Sequence, residues 1–248
     1  MASKQVSDRK KSSTLVAAAA ETHKDAIQDG AERLLKSHLK KGETMPDLRL
    51  VATLLARSLG ALGDGMSKAD DDHERELSDD AEPRDARDKV MLALYSKVVE
   101  VGEIIQGMYG HAAVRKCKLD GTTPRDGELL LQHAKTASGL LRTVKFGEPR
   151  VKGAKIDGGD FADELDALAK EAKKALGDVA REIREAETTQ VKKGATIAAF
   201  DAGFSSTAGL LSALLTVAGE KELASRVRPS TRRPGQLEEP EPEPTPTP

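Results

Sequence analysis

PRDARDKVMLALYSKVVEVGEIIQGMYG, residues 83–110, is apolar on nearly every side when wound as a helix. Val90, Leu94, Val98, Val101, Ile105 and Met108 make one face, and Met91, Leu92, Tyr95, Val99, Ile104 and Tyr109 widen it on both flanks. A helix with so broad an apolar surface needs neighbours on more than one side. The stretch therefore predicts an all-α fold, a multi-helix bundle of about five to seven helices around this central hydrophobic helix.

Composition agrees with that reading. Aromatic residues are 2% of the 248, with no Trp, so the core has to be built from Leu, Ala, Val and Ile, which suits closely spaced helices better than a β-sandwich. Of the 11 prolines, seven lie at or beyond Pro229, and Pro46, Pro83, Pro124 and Pro149 separate apolar-periodic segments. Proline is tolerated where helices start and disrupts their interiors, so these four act as punctuation.

On that map the first helix is expected over about 13–41, with Val16, Ala20, Ile27, Ala31, Leu34 and His38 on one face and Gly42 as its stop. Thr44 is the expected cap of a second helix carrying Leu48, Val51, Leu55, Leu59 and Leu62. Residues 64–82 are dense in charge and lack an apolar pattern, which predicts a charged mobile loop or a partly helical solvated stretch. Thr123 marks the start of a further helix reaching about Val144, and 142–156 has the short alternation and turn residues of either a β-hairpin or a structured loop. Asp160 opens a regular amphipathic helix with Leu165, Leu168, Ala172, Leu176, Val179 and Ile183 on its stripe. A separate segment over about 194–227 buries Ile197, Phe200, Phe204, Ala208, Leu211, Leu215 and Ala218. The domain expectation is a flexible N-terminus over 1–12, one helical bundle over 13–228 and a disordered Pro, Glu and Thr tail over 229–248.

Charge and motifs narrow the function classes. Thirty-nine Lys and Arg against 41 Asp and Glu leave a net charge of -2, without the basic excess of a nucleic-acid binder. None of the five His follows a Glu by three positions, so the ligand pattern of a ferritin-like di-iron bundle is lacking. His38 and His133 lie on apolar faces and read as core or boundary residues, and Asp70 to Glu76 reads as a solvated charge run without a calcium-loop spacing. Cys117 is the one cysteine; Lys116 and Lys118 flank it, yet no motif partner accompanies it, and it reads as a plain thiol. No hydrolase elbow, phosphate loop or dinucleotide fingerprint occurs, and no cofactor or metal is expected.

Two groups read as contact surfaces. Residues 202–219 contain no charge, and the small pairs Ala199 with Gly203 and Ser205 with Gly209 permit close helix approach. Arg142, Lys145, Arg150 and Lys152 gather positive charge with Glu148 as the one acid among them. The expectation is a non-enzymatic structural or adaptor protein that self-associates or packs within a larger assembly, with protein partners, no nucleic acid and a cytoplasmic location. The alternative is a membrane-active protein whose 194–219 segment inserts conditionally, membrane contact being the less favoured outcome because Ala, Gly, Ser and Thr contribute little transfer energy. A metal-dependent or catalytic bundle is the further alternative.

Overall fold

A computed structural model describes residues 3–150 and 155–238 and is all-α. Seven α-helices occur among the described residues: α1 (Lys4–Leu35), α2 (Leu48–Asp79), α3 (Ala81–Tyr109), α4 (His111–Lys116), α5 (Gly127–Leu141), α6 (Gly158–Ala218) and α7 (Lys221–Arg226), with one 3-10 turn at Lys36–His38. The chain divides into two compact units, the first formed by residues up to Arg75 together with those from Glu187 onward, the second by Glu76–Ala186.

The first unit packs α1, most of α2, the C-terminal half of α6 and α7. Its core joins Val16, Ala20 and Ile27 of α1 with Ala56, Leu59 and Met66 of α2 and with the α6 stripe predicted from sequence, every member of which is buried. Phe200 and Phe204 are fully buried and stack with centroids 5.7 Å apart, supplying the largest apolar area of that interior. α6 ends where Gly219 adopts φ +92; Gly219 N–H then donates to Thr216 O and Glu220 N–H to Leu215 O, a Schellman closure.

The second unit packs α3, α4, α5 and the N-terminal half of α6. Leu94, Val98, Val101 and Ile105 of α3 meet Leu130, Ala134 and Leu141 of α5 and Leu165, Ala169 and Ala172 of α6. The 83–110 stretch is thus a core helix, as expected, with Met91, Tyr95 and Tyr109 of its flanks packed half-buried on the same core and Leu92 66% exposed. In place of one shared interior around it there are two.

Several boundaries differ from the sequence reading. α1 begins at Lys4, because Val6 is fully buried and Arg9 pairs with Asp201. Its last turn is not a buried face: Leu34 is 56% exposed and His38 lies in the exposed 3-10 turn. Residues 64–79, expected as a loop or a partly helical solvated stretch, continue α2 as regular helix, and Met66, Ala69, Asp70 and His73 are turned inward at helical spacing rather than solvated. α6 runs unbroken for 61 residues across the gap anticipated between two helices, since 187–193 hold neither Gly nor Pro.

The hairpin or structured loop expected at 142–156 has no strand among its described residues: Thr143 and Val144 still donate to Leu140 O, and Arg150 N–H donates to Met108 O at the end of α3. Helix starts are set by aspartates rather than by the threonines or by Asp160. Asp47 accepts from Leu50 N–H, Asp126 from Leu129 N–H and Asp157 from Gly159 N–H. Of the expected tail, 229–238 folds back through a Pro229–Leu237 bridge that lays Leu237 on the first core, and 239–248 lies outside the described residues.

Candidate interaction surfaces

The small residues singled out on α6 fall on different sides of it. Gly203 points inward: a Cβ there would meet Leu62 Cδ1 of α2 at 2.5 Å, so its smallness serves packing within the first unit. Ala199 and Ser205 are exposed, and Gly209 is half-buried with open space above it. Around them runs an outward stripe of Ala195, Ala198, Ala199, Ala202, Ser205, Ser206, Leu210, Ala213, Thr216 and Val217, all exposed and all uncharged. Leu210 is 46% and Val217 40% exposed. In a chain that is 32% charged, six turns of solvent-facing helix without one charge depart sharply from the usual amphipathic pattern. The one charged residue between 194 and 218, Asp201, is turned aside and neutralised by Arg9, whose Nε and Nη2 donate to its two oxygens at 2.7 and 2.9 Å.

The basic group does not assemble as one surface. Arg142 is committed to α6, donating to Asp163 at 2.8 Å and to Asp166 at 2.6 Å. Arg150 lays its guanidinium against Gly110, where the carbonyl end of α3 favours positive charge. Lys145 is exposed, and Lys152 lies outside the described residues.

The sequence reading missed a polar cluster inside the first unit. Asp70, placed in the solvated run, is fully buried. Its Oδ1 accepts from Lys193 Nζ at 2.6 Å and Ser3 Oγ at 3.0 Å, and its Oδ2 accepts from Ser3 N–H at 2.6 Å. Burial alone would raise the carboxyl, but the Lys193 hydrogen bond and the two from Ser3 together hold it below the ordinary carboxylate value. One turn further along α2, buried His73 shares a hydrogen bond of 2.9 Å between its Nδ1 and Thr189 Oγ1. These contacts join the N-terminus and the charged half of α2 to the part of α6 that lacks apolar residues.

In the second unit, Glu76, Glu182 and Glu185 each bring one oxygen within 4.8 Å of the others and are the acidic group among the described residues best placed to hold a cation. Arg181 already reaches two of them, with Nη2 2.9 Å from Glu182 and Nε 3.8 Å from Glu185, so the arrangement works as an ion-pair network. Burial, then Glu185 and Glu182, raise the Glu76 carboxyl. Burial lowers the His133 imidazole below its ordinary value.

Cys117 is fully buried, and that burial pushes its thiol up despite the opposing charge of Lys116. A thiol both shielded and protonated reacts only when its surroundings open. Alkylation of the native protein at pH 8 is therefore expected to be slower than in denaturant by orders of magnitude and to follow the opening of the second unit. Equal rates in the two conditions, read by mass spectrometry, would contradict the burial.

The chain matches no family model, no curated protein and no solved structure.

Proposed function

We propose that this chain is a non-enzymatic helical subunit that self-associates, or packs within a larger protein assembly, through the outward face of α6 between residues 194 and 218. The observation carrying this reading is the uncharged stripe from Ala195 to Val217 on a protein otherwise covered in charge. Such a surface loses little on dehydration, and its alanines, serines and glycine let a second helix approach closely. Leu210 and Val217 supply the apolar anchors.

A bilayer is the weaker occupant of the same face. An 18-residue window of α6 reaches a mean hydropathy of 1.3, but the large side chains of this region, Phe200, Phe204, Leu211 and Leu215, are spent on the first core. What remains outside is mostly Ala, Ser and Thr, too small to drive insertion.

Light scattering coupled to size exclusion tests the reading directly. The native chain is expected to form a dimer or larger species, and Ala202→Glu with Leu210→Glu to weaken association at least about tenfold, since each variant places an unpaired charge in the contact. Both positions are solvent-facing, so circular dichroism should stay unchanged. A native chain that remains monomeric at high concentration and captures no protein, or charge variants that associate as before, would remove the proposal.

A further inference from the structure

The surface of α1 near its start is concave, cationic and partly apolar. A groove of about 600 Å³ between α1 and α2 is lined by Val6, Lys10, Lys11, Thr14 and Leu15. Leu15 is 61% exposed and shares the groove with the two lysines. Lys10 reaches only Ser67 Oγ, at 3.4 Å, and among the described residues neither Lys10 nor Lys11 forms an ion pair. Lys11 and Leu15 also border a second concavity, on the other side of α1, together with Arg233 and Glu238.

Glu238 is the last of the described residues. Its N–H donates to Arg228 O at 3.0 Å, and Leu237 before it is packed on the first core, so the exit point is fixed beside Lys11. The sequence then continues Glu239, Pro240, Glu241, Pro242, Glu243, Pro244. An acidic, proline-rich segment thus begins at the lip of a lysine-lined apolar groove.

We propose that residues 239–248 dock back on this groove of their own chain, with Glu239, Glu241 and Glu243 toward Lys10 and Lys11 and proline rings over Leu15. Reach is not limiting: ten residues in polyproline conformation extend about 31 Å, whereas Val6 to Leu15 spans about 14 Å of helix. Proline fixes φ before docking and so reduces the entropy lost on ordering. Attachment at Glu238 gives an effective concentration on the order of millimolar, so even a weak segment fills the groove ahead of free ligands of similar strength. Asp71, which lines the groove beside the lysines, and Asp8, which lines the neighbouring concavity, oppose the acidic segment, which makes its placement depend on the two lysines.

Backbone NMR on the full chain tests this. Glu239→Lys, Glu241→Lys and Glu243→Lys combined should shift the amides of Ser7, Lys10, Lys11, Thr14 and Leu15, and Lys10→Glu with Lys11→Glu should shift the amides of 239–243. A peptide of sequence 239–248 added to the triple-lysine chain should restore the native positions of the groove signals, and Lys10→Glu with Lys11→Glu in that chain should weaken its binding about tenfold. Added salt should weaken it as well. Shifts confined to the residues beside each substitution, or a peptide without effect at millimolar concentration, would overturn the proposal. So would groove signals of the native chain that change with protein concentration, because the segment would then occupy a second copy.

Discussion

Replacing Lys193 by methionine is expected to destabilise the first unit by about 3–5 kcal/mol, because it leaves Asp70 ionised, fully buried and without its counter-charge. Ser3 would still donate two hydrogen bonds, which is why the loss should remain within that range rather than exceed it. The pH dependence follows from the direction of the Asp70 shift. A carboxyl lowered in the folded state contributes stability that is fully present above its unfolded value and is lost as pH falls through the folded one. Native stability should therefore begin to fall below about pH 5, and the gap between the native chain and Asp70→Asn should narrow as acid is added. Urea denaturation between pH 3 and 8 measures both. A Lys193→Met chain as stable as the native one, or a gap that widens toward low pH, would mean that the pair contributes little.

The second large effect is expected at Gly30. A side chain there would fall on the Cα of Ala218, with Ala218 N and Val217 O each 3.0 Å away, so α1 and α6 touch backbone to backbone. Arg33 Nη2 donates to Ala218 O at 3.2 Å and holds the two helices at that separation. Backbone cannot rotate out of the way as a rotamer can, and Gly30→Val should lose about 3 kcal/mol, the upper end of the overpacking range. Gly30→Ala should lose less, since alanine recovers up to about 1 kcal/mol of helix propensity. Gly203→Ala provides the contrast: its obstacle is the end of the Leu62 side chain, and the change should lie within about 1 kcal/mol of neutral. Equal stability for Gly30→Val and Gly203→Ala would show that the helix contact is softer than its geometry indicates.

These two sites also show what the sequence discloses and what it hides. The α6 stripe from Ile197 to Ala218 was legible in full because its spacing is a local property and its members are apolar. The all-α class followed from the same signal. The second half of α2 was not legible, because its inward positions include Asp70 and His73, whose partners Lys193 and Thr189 lie more than a hundred residues away. A buried carboxylate reads as solvated until the cation that neutralises it is known. Gly30 lies in the last two turns of α1 with nothing nearby in sequence to mark it as a crossing point. The division of the buried residues into two cores was hidden for a similar reason: an apolar helix declares that it has neighbours without saying which segments supply them. On the candidate surfaces, the absence of charge along α6 could be read directly, whereas the dispersal of Arg142 and Arg150 depended on acids and helix ends that only folding brings to them.

The contact between Ser3 and Asp70 makes the integrity of the first unit depend on the residue that caps the start of α1. Proteolytic trimming past Ser3 would strip an interior carboxylate of two of its three hydrogen-bond donors from a distance of 67 residues. A few amino acids that look dispensable by composition thus act as a plug, and preparations differing only in how much of this end survives should differ in resistance to heat.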